Sequence, residues 1–232
     1  MEAKRILEFL ANITRNNNRE WFNENKNEYL YCRKSFEDDI EQAILRIAEF
    51  DDSIVHITVK DATYRFYRDT RFSPDKSPYK RHFGAYIAAH GKKSLHGGYY
   101  IHLEPDNCML ACGNYWLPTN ILTACRNEIM MNLNEWQECV ENKDFIQLFG
   151  KPNEGAWGDE KGFGIEHLKS CPAGFPRDYE HIEYLRMKDY CAWIKVEDTF
   201  FDSPQWFDKM VNVFKVAKPM MDFMNAIIDD YE

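Results

Sequence analysis

Near the start of the chain, apolar residues recur at Ile6, Phe9, Leu10 and Ile13, a spacing that predicts a short amphipathic helix. The run Asn16-Asn17-Asn18 ends it, because asparagine side chains compete for backbone hydrogen bonds and favour caps and turns. Asn18 is placed to cap a second helix from about Arg19. Its stripe of Trp21, Phe22, Tyr29, Phe36, Ile40, Ala43, Ile44 and Ile47 runs to about Phe50 with no Gly or Pro to break it. After Asp51-Asp52 the β-branched residues of Ile54 to Val59 predict a strand. Further strand-like runs follow at Thr63 to Arg68, His82 to Ala89, Gly98 to Glu104 and Cys108 to Tyr115. The joints carry Pro74, Pro78, Gly91, Gly97 and Pro105, and links this short require antiparallel neighbours.

Helical spacing returns at Leu122, Cys125 and Ile129, with Thr119 or Asn120 as the cap, and again from Trp136 to Leu148. Residues 150 to 178 are rich in Gly and Pro and read as a long ordered excursion of the kind that often carries function. Tyr190 to Val196 predicts one more strand, and Ser203-Pro204 opens a last helix that Pro219 is expected to kink or divide. Helices before and after such a sheet predict an α+β fold: a mostly antiparallel sheet of roughly five or six strands, flanked by N-terminal and C-terminal helices. No internal repeat or linker marks a second domain, so residues 1–232 are expected to form one.

Composition narrows the function classes. With 44% hydrophobic and 29% charged residues the chain is that of a folded, water-soluble protein. The N-terminal segment mixes Glu and Arg with its apolar residues, which predicts neither a signal peptide nor a membrane span. The seven cysteines form no CxxC pair, so reduced, buried thiols and a cytoplasmic location are expected. A net charge of −9 disfavours a nucleic-acid partner, because such binding depends on Lys and Arg replacing counterions.

Residues 60 to 93 run against that balance, with nine Lys or Arg against three Asp. Their centre is RFYRDTRFSPDKSPYK, from Arg65 to Lys80. As a strand, this segment puts Arg65, Tyr67 and Asp69 on one face and Tyr64, Phe66 and Arg68 on the other, so both faces mix an aromatic ring with an ion. The turn beyond it brings Arg71, Lys76, Tyr79 and Lys80 toward the same end. Guanidinium forks recognise carboxylate or phosphate through paired hydrogen bonds, so Arg65, Arg68, Arg71, Lys76, Tyr79 and Lys80, with Asp69 orienting an arginine, are candidates for a small anionic ligand. The same residues admit a second reading, an internal network in which the arginines pair with the protein's own carboxylates.

The motif Arg65-x-x-Arg68-Asp69-x-Arg71-Phe72, followed by Asp75-Lys76-x-x-Tyr79, resembles the signature of the bacterial and fungal family called domain of unknown function 2461. The likeness extends to Asn17-Asn18-Arg19-Glu20-Trp21-Phe22, to Gly98-Tyr99-Tyr100-Ile101-His102-Leu103-Glu104-Pro105, and to Tyr184-Leu185-Arg186-x-Lys188. It implies kinship and brings no activity, cofactor or substrate with it.

Other constellations are weaker. His102 and Glu104 share a strand face and are candidates for acid and base, which makes an enzyme the alternative to a binding protein; a protein-interaction module with a purely structural Arg/Asp cluster is a third reading. Cys108 and Cys112, four apart in a strand, are about 13 Å apart and cannot share one zinc without a break. His167-x3-Cys171 binds metal only if helical, and Cys171 is more readily a spectator thiol than a nucleophile. Neither a Walker or dinucleotide loop nor a Gly-x-Ser-x-Gly elbow is present, and no cofactor or metal is expected.

Overall fold

The computed structural model describes residues 2–156 and 158–231. Among them are five strands: β1 (Phe83–Ile87), β2 (Gly98–Leu103), β3 (Met109–Asn114), β4 (Lys161–Phe163) and β5 (Tyr190–Lys195). They form one antiparallel sheet in the order β1-β2-β3-β5-β4, so the fold is α+β. The helices are α1 (Ala3–Arg15), α2 (Arg19–Glu24), α3 (Lys26–Ala48), α4 (Val59–Ala62), α5 (Thr119–Met131), α6 (Leu133–Val140), α7 (Lys143–Phe149), α8 (Ile182–Arg186) and α9 (Trp206–Ile228). No described helix is long and apolar enough to cross a membrane.

The chain divides into two compact units. The first holds the residues up to Lys92 together with Tyr100–Met109 and Val196–Val211. Its core is aromatic: Phe9 of α1, Phe22 of α2, and Tyr29 and Phe36 of α3 meet Phe66, Tyr79 and Phe83. Asn18 caps α2 as its side-chain oxygen accepts the Trp21 N–H at 3.0 Å. The expected single long helix is two, because the Asn25 side chain donates to the Trp21 carbonyl at 2.9 Å and the chain restarts at Lys26.

The strand expected over Ile54 to Val59 does not form. Asp51 accepts the Ser53 N–H and hydroxyl, which fixes a 3₁₀ turn at Asp52–Ile54, and Thr58 and Asp61 make a reciprocal capping box that starts α4. Local side-chain bonds here outweigh β propensity. Thr63 to Arg68 is extended but irregular, and it pairs with neighbouring segments through isolated bridges at Thr63–Ala85 and Tyr67–Tyr79. The alternation survives, with Phe66 buried and Arg65 and Tyr67 exposed.

The second unit holds Lys93–Tyr99, Leu110–Lys195 and the residues from Asn212 onward. Trp136 of α6 is its centre, packed against Phe163, Tyr184, Tyr190 and Phe223. Buried Asp189 accepts the N–H groups of Ile165, Glu166 and Cys191 and so anchors the Gly/Pro-rich excursion to β5. The stretch Trp136 to Leu148 is two helices, since Asn142 caps α7 by accepting the Phe145 N–H. α5 begins at Thr119 with Pro118 at the cap position, and α9 begins at Trp206, three residues beyond Ser203. α9 runs unbroken through Pro219.

β4 lies inside the excursion, where glycine and proline density hides a strand of three residues. Gly162 pairs with Trp193 of β5, and a Cβ at Gly162 would come 2.2 Å from the indole ring. Gly162→Ala is therefore expected to lower the unfolding free energy by about 3 kcal/mol, read as a fall in the urea midpoint at unchanged slope. An unchanged midpoint would show that the Trp193 ring yields.

Candidate functional site

Chain geometry in the first unit follows from Tyr79. Its ring stacks on Phe22 at 4.1 Å, and its backbone N–H and carbonyl both bond the side-chain amide of Asn17 at 3.0 Å. Tyr79 is thus a core residue that seats the Arg65-to-Lys80 hairpin, and it offers no surface to a ligand.

The arginines of the tip are closed by the hairpin's own carboxylates. Arg68 bonds Asp75 at 2.5 Å, the Ser77 carbonyl at 3.1 Å and the Ser73 hydroxyl at 3.2 Å, and it is largely covered. Arg71 forms a fork with Asp69, at 3.0 Å from Nε and 2.7 Å from Nη2, on an exposed surface beside Phe72. Lys76 donates to the Thr70 carbonyl at 2.9 Å. Hydrogen bonds from Arg71 hold the Asp69 carboxyl below its usual range. Those from Ser77, then Arg68, hold Asp75 down to about 2.

Lys80 and Arg65 differ. Lys80 is half-buried with its ammonium 4.9 Å over the Tyr64 ring, and no ion pair joins it or Arg65 to a carboxylate among the described residues. Burial lowers the Lys80 pKa, and the positive charges of Arg65 and Arg33 lower it further. Arg33 is fixed by Glu37 at 2.6 Å and by the Tyr64 carbonyl and Thr63 hydroxyl, both at 2.9 Å.

His102 and Glu104 come together as the shared face requires, 3.2 Å apart from Nε2 to Oε2. Asn107 adds a bond to the same carboxylate oxygen at 2.7 Å, and Tyr100 Oη lies 2.8 Å from His102 Nδ1. The ring of His82 lies 4.5 Å from that of His102. Burial, then the neighbouring His102 and Lys80, push His82 down to about 4, which leaves it neutral at pH 7. Glu104 is held below the usual carboxylate range chiefly by the His102 hydrogen bond. Sequence reasoning passed over Tyr100 and His82. The first was visible in the period-2 row Tyr100-x-His102-x-Glu104, whereas the second depends on which strand lies beside β2.

The family model described as conserved hypothetical protein (DUF2461) matches residues 5–223 of the 232. The chain belongs to the DUF2461 family. Neither the curated proteins nor the solved structures give a match. In this DUF2461 protein no group of three or more His, Cys, Asp or Glu able to hold a metal occurs among the described residues. His167 pairs with Met187 in an extended bridge, so it and Cys171 do not lie on a helix. Cys171 bonds neighbouring carbonyls, and burial pushes Cys108 up to about 12.

Arg68→Ala is expected to lower the melting temperature by a few degrees, since it opens three turn contacts at once, while Arg71→Ala on the exposed pair leaves it unchanged. The Asp75 carboxyl ionises more readily in the folded chain, so its contribution is complete above pH about 4 and is lost as pH falls toward 2. Thermal melts of wild type and Arg68→Ala from pH 2 to pH 6 check both statements: the two curves should converge at the acid end.

Proposed function

We propose that this protein binds a small anionic ligand, bearing phosphate or carboxylate, at Lys80 and Arg65 on the first unit. The observation that carries the reading is the half-buried Lys80 ammonium beside two further cations, with no carboxylate bonded to it among the described residues. A partly desolvated cation among like charges is unfavourable, and an incoming anion relieves both the desolvation and the repulsion. Arg68, Arg71 and Lys76 are occupied within the hairpin, so in this reading they hold its shape and steer anions only at long range. Six buried free thiols support a reducing, cytoplasmic setting. With net charge −9 the remaining surface repels polyanions, which favours a small ligand over nucleic acid.

Thermal shift with inorganic phosphate and pyrophosphate tests it. At about 100 times its dissociation constant a ligand stabilises the folded state by about 2.7 kcal/mol, a rise of about 5–10 °C for a chain of this size. Lys80→Met should abolish the rise and Arg71→Ala should keep it. No rise with either anion, or a rise that survives Lys80→Met, overturns the reading.

A further inference from the structure

Tyr100, His102 and Glu104 are joined end to end along one face of β2 and its extension. The direction of the protons in that row follows from its far end. Glu104 is ionised at neutral pH and can only accept, so His102 Nε2 carries the hydrogen that lies between them. When that imidazole is neutral, with its hydrogen at Nε2, its lone pair is at Nδ1, and Tyr100 Oη, 2.8 Å away, is placed to donate its hydroxyl hydrogen there. The row is polarised from phenol to imidazole to carboxylate, which is the order of donor, base and orienting group in an activated-nucleophile site. Asn107 fixes the carboxylate oxygen that orients the imidazole.

Two further features exceed what strand stability requires. His82 rests against His102 as a neutral ring, so an imidazolium at His102 would meet the charge of Glu104 without a second imidazolium opposing it. Beneath the hydroxyl lies Gly84, where a Cβ would come 2.7 Å from Tyr100 Oη. Glycine inside a strand costs about 0.5–1 kcal/mol relative to alanine, so its place in β1 calls for a local cause, and the position of the Tyr100 hydroxyl supplies one.

We propose that Tyr100 is a catalytic general base and acid, with His102 and Glu104 as its positioning residues, acting on the anionic ligand held at Lys80. The inference rests on that anion site for its substrate class: a small phosphate- or carboxylate-bearing molecule that loses a proton from an adjacent hydroxyl or carbon. In the step, the substrate's proton passes to Tyr100 Oη while the phenolic proton passes to His102 Nδ1. The products are a neutral tyrosine, an imidazolium paired with the Glu104 carboxylate, and an electron pair left on the substrate atom. Return of the proton from His102 through Tyr100 to another position on the substrate, or to a leaving group, restores the enzyme with no oxidant or reductant.

An aryl sulfonyl fluoride measures the activation directly, since the Oη–S bond forms, the S–F bond breaks, fluoride leaves and the phenolic proton goes to His102. Two reagents are used on the full chain at pH 7, the anionic 4-(fluorosulfonyl)benzoate and neutral phenylmethylsulfonyl fluoride, with modified peptides counted by mass spectrometry. Tyr100 should react about tenfold or more faster than the exposed Tyr67 and Tyr231. His102→Ala should remove that advantage and added imidazole should restore it, a rescue that a merely structural histidine would not show. Glu104→Gln should slow the reaction as well. If His102→Ala does not fold, spectrophotometric titration of tyrosinate in wild type and Tyr100→Phe decides the point: the difference must contain one tyrosine that ionises below the others.

Reaction of Tyr100 no faster than that of Tyr67 and Tyr231, or a rate indifferent to His102→Ala, overturns the relay. The two proposals fail separately. A Lys80-dependent phosphate shift without selective labelling keeps the anion site and removes the relay. Selective labelling by the neutral reagent, with no phosphate shift and no advantage for the anionic one, keeps the activated tyrosine and removes the anion site as its substrate anchor.

Discussion

The contact on which the first unit depends is the pair of hydrogen bonds between one side chain, Asn17, and the backbone of Tyr79. An asparagine amide presents a donor and an acceptor side by side, so it can stand in for a strand neighbour over a single residue. That substitution fixes the height of the hairpin against α1 and α2, and the Phe22–Tyr79 stack fixes its rotation. Once Tyr79 is committed to the core, the chain leaves Lys80 and His82 half-covered on either side of the exposed Arg81 and returns Phe83 to the interior. The chemistry of the site is therefore set from a distance of one and three residues, by packing that takes no part in it.

Charge is distributed by the same logic. Asp69 and Asp75 lie within the hairpin, a few residues from the arginines they neutralise, so the tip closes on itself whatever surrounds it. Exposed pairs of this kind add little stability, but they determine which cations remain available. Arg33 is likewise committed, to Glu37 and to the backbone of the segment it supports. What the network leaves over is Lys80, held in place by an aromatic ring rather than by an anion.

Much of the sheet was legible because β1, β2, β3 and β5 lie where alternating or continuously apolar runs are bounded by glycine and proline. The failure at Ile54 to Val59 is instructive: its residues favour a strand, yet Asp51, Thr58 and Asp61 each satisfy a nearby backbone or hydroxyl group and win at shorter range. β4 escaped notice for the opposite reason, since Gly162 is there to make room for Trp193 and reads as a loop. At the site, His102 and Glu104 could be found by counting in twos, but His82 and Gly84 could be found only once β1 is known to lie beside β2. Period gives the face of a strand and not its neighbour.

Pairing those two strands explains why the cation and the relay do not cancel each other. His82 and Gly84 lie against the face of β2 that carries Tyr100, His102 and Glu104. Gly84 meets Tyr100 and His82 meets His102, while Lys80 lies before β1, ahead of the bend at Arg81 and His82, and bonds the Phe66 carbonyl through its N–H. An ion pair between Lys80 and Glu104 would quench both groups and pull the carboxylate off the imidazole. Two contacts prevent it: Asn107 and His102 together hold Glu104 Oε2, and the Tyr64 ring draws the Lys80 ammonium toward the other neighbouring segment. Each group thereby keeps its charge, which the proposed anion binding and the proposed proton transfer both require.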